Sequence, residues 1–151
     1  MNPLALAAIA VTDVSHAMQL ALGPVFLLNG VGVLLAMLTS RLARVVDRAR
    51  GLETRLPHAG EEEAREIHRV LTVTSRRARL INRAITLGTI AALLVALVVA
   101  LLFTAAFVTF AVAPVIALLF VSCMGALFGS LWCFLIEVRV ATAALRFGSQ
   151  K

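Results

Sequence analysis

Apolar residues fill this chain in long blocks, interrupted by one stretch in which they recur at alternating spacings of three and four. Leu35, Leu38, Leu42, Val45, Ala49, Leu52 and Leu56 form one such series, and Ala64, Ile67, Leu71, Thr74, Ala78, Ile81 and Ile85 a second. That spacing keeps each series on one face of a helix, as in a heptad seam. Pro57-His58-Ala59-Gly60 lies between them and supplies a helix stop and a turn. Glu61, Glu62, Glu63 and Glu66 follow, suited to the positive end of a new helix. The pattern predicts an antiparallel coiled-coil hairpin over residues 41–83. Its arms hold about 15 and 25 residues, roughly 22–38 Å as helix. Thr74 and the alanines weaken the second seam, which leaves a part for other subunits in burying it.

The apolar blocks on either side are long enough to cross a bilayer. Residues 24–40 form the first expected span, with Asn29 its one strongly polar side chain. A lone Asn in a span more often bonds a neighbouring helix than binds a ligand. From Ala84 to Ile136 there is no charge, too long a run for one span and suited to two. Pro114 marks the junction, giving spans over 85–107 and 115–136 with a short outer connection that includes Thr109 and Phe110. Trp132 suits an interfacial anchor at the inner end of the last span. Glu137, Arg139 and Arg146 are expected to return to water in a tail over 137–151, with the helix running on toward Gly148.

Residues 4–22 are mixed. Thr12, His16 and Gln19 share a stripe, with Asp13 and Ser15 at its edges, while Ile9, Val14, Met18 and Leu22 lie away from it. This predicts an amphipathic helix in the interface plane, ended by Gly23-Pro24. A true span here would bury Asp13 at a cost of roughly 2.5–3.5 kcal/mol, so the interfacial reading is preferred. The expected fold is an all-α membrane protein in one membrane domain: interfacial helix, three transmembrane helices, and a cytoplasmic hairpin between the first and second spans.

Composition supports this. Hydrophobic residues make up 61% of the chain, against roughly 45–50% in soluble proteins. The formal net charge is +6, and all but Arg139, Arg146 and Lys151 of the 14 basic residues fall between Arg41 and Arg83. Loops rich in Lys and Arg stay cytoplasmic, so the hairpin and the C-terminus belong on that side and the N-terminus outside. Nucleic acid is not the expected partner, because the basic stretch carries no Phe, Tyr or Trp to stack on bases. Along the hairpin the base is basic and the tip, Glu53 to Glu66, acidic. A basic collar against an anionic leaflet gains on the order of 1 kcal/mol per residue near the surface, and its default meaning is anchoring. No basic residue precedes Arg41, so a cleavable signal peptide is not expected.

Small residues recur at four-residue spacing in each span: Gly32, Ala36 and Ser40; Gly88, Ala92, Ala96, Ala100 and Thr104; Gly125 and Gly129. Such faces let helix backbones approach closely in lipid. Three spans offer few partners for so many faces, which predicts a homo-oligomer.

Candidate chemistry is sparse. His16, His58 and His68 lack metal-ligand spacing, and neither Cys123 nor Cys133 has a basic neighbour to activate it. Ten residues apart in one helix, the two cysteines cannot bridge. No phosphate loop or zinc motif occurs, so neither an enzyme nor a cofactor is expected. A proton-coupled carrier would need ionisable groups inside its spans, and 24–40, 85–107 and 115–136 hold none. A pore asks less, since an oligomer can line one with Thr, Ser and Asn. Asp13, Thr12 and His16, repeated around an axis and joined by Asn29, would form such a ring. One reading is therefore an oligomeric ion-conducting channel with the hairpin as its vestibule and ions as cargo. The alternative is a non-transporting adaptor that anchors the hairpin and presents it to a cytoplasmic partner.

The segment Arg41-Leu42-Ala43-Arg44-Val45-Val46-Asp47-Arg48-Ala49-Arg50, preceded by Gly23-Pro24 and Leu27-Leu28-Asn29, is similar to the small bacterial membrane proteins grouped as domain of unknown function 2721. The likeness extends over most of the chain, through the later apolar hairpin. It implies a multi-span bacterial inner-membrane protein and carries no established activity. Read from the residues, Arg41, Arg44, Asp47 and Arg48 form an ion-pair cluster. In it Asp47 pairs with Arg44, or with an arginine across the hairpin, and a shielded pair would set hairpin register.

Overall fold

In a computed structural model the backbone is described for residues 3–105 and 113–146, and side chains for 15, 18–105 and 113–142. The described residues form helix α1 (Pro3–Glu53), a 3-10 turn (Leu56–His58), helix α2 (Glu61–Ala105) and helix α3 (Ala113–Arg146). The expected outer connection, with Thr109 and Phe110, lies outside them.

The helix expected over residues 4–22 does not end at Gly23-Pro24. These residues belong to the first turns of α1, which runs through Gly23 and Pro24 without a break. Pro24 forfeits its own amide donor and crowds the carbonyl one turn back, a local cost. Ending the helix there would strand several backbone groups in apolar surroundings, so the local preference of proline is overridden.

α1 does end near Pro57. Thr54 donates its N–H to the Arg50 carbonyl and its hydroxyl to the Gly51 carbonyl, closing the last turn. The 3-10 turn takes its proline at the first positions, where a missing N–H costs least. The first α2 bond runs from Ala64 N–H to the Gly60 carbonyl at 2.8 Å. Glu61, Glu62 and Glu63 occupy the first turn of α2, against the positive end of its dipole.

The chain divides into two units. In the one comprising Leu34–Gly88 and Phe128–Lys151, the two arms pack antiparallel. Leu38 and Val45 of α1 meet Ile81 and Ala84 of α2, flanked by Leu34, Leu42, Ala78 and Ile85. Every member of both heptad series is buried or half-buried, and Leu38 and Ile81 are fully enclosed. Cys133 and Phe134 of α3 close the base of this core. Ser130 donates its hydroxyl to the Ala84 carbonyl at 2.7 Å. Close approach is possible here because Gly88 lacks a side chain: a Cβ on it would stand 3.0 Å from Leu35 Cδ2 and 3.3 Å from Ser130 Oγ. A Cβ on Gly129 would stand 3.2 Å from Leu87 Cδ1.

The other unit comprises Met1–Val33 and Thr89–Leu127. Its core is thin: Ala91, Val95 and Cys123, with Leu27, Leu28, Leu94, Met124, Ala126 and Leu127 against them. The Cys123 thiol donates to the Ala91 carbonyl at 3.4 Å, and both cysteines are free. Large apolar side chains stand exposed, among them Phe26 (72%), Leu93, Leu118 and Val121. Hydroxyls within the apolar helices bond back into their own helix, as Thr104 does to the Ala100 carbonyl and Ser122 to the Leu118 carbonyl. Such back-bonding leaves little polarity for an apolar solvent to meet.

Three helical segments, Met18–His58, Glu61–Ala105 and Ala113–Thr142, are long and apolar enough to cross a membrane.

Candidate functional site

The site is built around one carboxylate. On α3, Ser130, Cys133, Phe134 and Glu137 recur at three- and four-residue spacing and so share the face that meets the hairpin. Phe134 and Cys133 pack on the hairpin core, and one turn later that face carries Glu137 into the same contact. Glu137 is 0% exposed. This corrects the expectation that it returns to water. α3 simply continues past Ile136, and two arginines await the side chain there.

One is Arg77 of α2, whose Nε and Nη2 donate to Glu137 Oε1 at 3.1 and 2.8 Å. The other is Arg41 of α1, whose Nη2 lies 3.1 Å from Oε2. The second contact is electrostatic only, since Oε2 receives no hydrogen bond from the described residues. The Arg41 guanidinium also lies 5.1 Å over the Phe134 ring, a cation–π contact that fixes its plane. The arginine side chains keep 29% and 24% of their exposure, so the carboxylate is the group that has lost its water. A buried charge of this kind is tolerable only when paired and hydrogen-bonded.

The proposed cluster of Arg41, Arg44, Asp47 and Arg48 is not brought together around Asp47. Asp47 is exposed and makes no ion pair among the described residues. Its place on the outer flank of the α1 seam points it away from α2, and Arg41 turns to Glu137 instead. Arg44 and Arg48 are exposed and likewise without an ion pair among the described residues. The remaining described ion pair, Arg65 to Glu61 at 3.9 Å, is exposed and contributes little.

The side chains of Thr12, Asp13 and His16 lie outside the described residues. Asn29 is exposed on α1, as are Gly32 and Ala36. On α2, Gly88 is buried, Ala92 half-buried, and Ala96 and Ala100 exposed; on α3, Gly129 is half-buried and Gly125 exposed. His58 and His68 are exposed. Among the described residues, no three His, Cys, Asp or Glu side chains come together in a group suited to a metal ion.

Farther along the hairpin the arms leave a cleft of about 540 Å³ between them. Val45, Ala49, Leu71 and Ala78 line its floor, and Glu53 and His68 its rim. Small side chains at Ala49, Thr74 and Ala78 are why the arms do not fill it.

Three helices long and apolar enough to cross a bilayer, with large apolar side chains exposed along them, are the features of a multi-pass α-helical membrane protein. Residues 21–147 match the family described as protein of unknown function (DUF2721), and the chain belongs to that family. No curated protein and no solved structure matches the chain.

Proposed function

We infer that the protein is a membrane-anchored adaptor: a homo-oligomer of the bacterial inner membrane that holds a helical hairpin toward the cytoplasm for a partner to bind. The orientation follows the arginines, with hairpin and C-terminus inside against the anionic leaflet and the N-terminus outside. The observation that carries the reading is the clamp of Arg41 and Arg77 on the buried Glu137. It ties both arms to α3 at their base, so the hairpin is a braced projection and not a slack loop. A braced projection with an open cleft is suited to presenting a surface.

Self-association is supported by Asn29, Gly32, Ala36 and Ser40, which are all exposed at helical spacing on α1. An asparagine facing hydrocarbon is costly, whereas small neighbours let a second copy approach and bond it. Proximity labelling from an enzyme fused within the hairpin tip tests the function. A reproducible soluble partner, lost when Ala49 and Ala78 are enlarged to fill the cleft, is the expected result. Labelling confined to other copies of this chain, together with single-channel conductance in planar bilayers, would overturn it in favour of an ion channel.

A further inference from the structure

Beside the clamp lies a second, smaller cavity of about 220 Å³, lined by Arg41, Arg44, Arg48, Arg77, Val45 and Thr74. Four arginines line it. All four are permanently charged, and Glu137 is the carboxylate paired with two of them, so the cavity wall holds a surplus of positive charge. Arg41, Arg44 and Arg48 stand at three- and four-residue spacing on one face of α1, and Arg77 faces them from α2. The Thr74 hydroxyl proton is committed to the Val70 carbonyl at 2.8 Å, so the free donors are the arginines' own. The volume admits several waters or one hydrated anion.

We propose that this cavity is a binding site for a phosphate group, held between the two hairpin arms by Arg44 and Arg48 and flanked by Arg41 and Arg77. Guanidinium forks pair in bidentate fashion with the multiply charged oxygens of a phosphate group, and neighbouring arginines can share one such group. The buried carboxylate anchors two of the four arginines and leaves the other two to the ligand. Because Arg41 directly follows the apolar run that ends at Ser40, a phospholipid headgroup can reach the cavity. A soluble phosphate offers the same chemistry. The inference does not depend on the adaptor reading.

The test uses the full-length protein in nanodiscs of phosphatidylcholine alone or of phosphatidylcholine with phosphatidylglycerol. Phosphatidylglycerol adducts are counted by native mass spectrometry. Inorganic phosphate at millimolar concentration is titrated into the phosphatidylcholine discs while the melting temperature is followed. The variant carries Arg44→Gln and Arg48→Gln, which are exposed and hold no ion pair among the described residues. The control carries Arg79→Gln and Arg83→Gln, the same charge change outside the cavity.

Weakening of either probe on the order of tenfold per guanidinium removed is expected in the variant and not in the control. Loss of phosphatidylglycerol adducts identifies a headgroup, and loss of the phosphate-dependent melting shift identifies a soluble ligand. Binding of neither probe by the unmodified protein, or equal loss in variant and control, would overturn the site and leave only diffuse attraction.

Discussion

Arg77 reaches Glu137 with two donors on one oxygen: Nε lies 3.1 Å and Nη2 2.8 Å from Oε1. Arg41 approaches the other oxygen at a similar distance without a hydrogen bond. The two arginines are therefore unequal partners of one buried charge. Both hydrogen bonds come from α2, while α1 contributes field and the stacking on Phe134.

That inequality sets an order of stabilities. Arg77→Ala leaves a buried carboxylate with a single, poorly directed partner, and is expected to destabilise by about 3–5 kcal/mol. Arg41→Ala keeps both hydrogen bonds and is expected to cost clearly less. Thermal and denaturant unfolding in detergent, followed by circular dichroism, checks the ranking. Equal losses would mean that charge alone matters at this carboxylate.

Removing the charge itself should be milder than stranding it. Glu137→Leu leaves two arginines that already touch water and can turn outward. Combined with Arg77→Leu it replaces the ion pair by apolar packing, which is often neutral or better. The double variant is expected to be more stable than Arg77→Leu alone, a positive coupling in a double-mutant cycle. A simple sum of the two single losses would show that the pair is not coupled.

The turn and the shielded positions on either side of it were legible because their information is local. Seven-residue periodicity in Leu38, Leu42 and Val45, and again in Ile67, Leu71 and Thr74, translates directly into shielded positions, and Pro57 with Gly60 into the turn. Glu137 was not legible in that way. A Glu after a charge-free run ordinarily meets water, and its burial is decided where three helices converge, which no single stretch encodes. The signal that could have found it is positional: Arg41 follows one apolar block, Arg77 precedes another, and Glu137 is the lone acid bordering the third. Asp47 is close to Arg44 in sequence, but it is exposed on the flank of the helix and takes no part in the described ion pairs. Gly23-Pro24 misled for a related reason, since a proline's local preference yields where backbone groups have no water to turn to.

Two glycines should respond differently to substitution. Gly88→Val pushes branched methyls toward Leu35 and Ser130, where even a Cβ is tight, and is expected to destabilise by about 1–3 kcal/mol. Gly125→Val meets nothing within 4 Å in its own chain and is expected to leave unfolding nearly unchanged. If a second copy covers that face, Gly125→Val instead lowers the oligomer fraction seen by native mass spectrometry. Loss of folding in Gly125→Val would place the face inside the subunit.

The arginines make a sharper demand on topology. Arg44, Arg48, Arg69 and Arg76 are exposed on the hairpin, and four charges there suit water, not hydrocarbon. In the topology proposed above they put the hairpin on the cytoplasmic side, because loops rich in basic residues are retained there. Cys123 is buried and Cys133 half-buried, so a single new thiol at the tip can report alone once Cys133 is replaced by Ser. In that background His58→Cys is expected to resist a membrane-impermeant maleimide in intact spheroplasts and to react fully in inverted vesicles. Reaction in intact spheroplasts would put the hairpin outside. It would also detach the phosphate site from the cytoplasmic leaflet and remove the basis for a cytoplasmic partner.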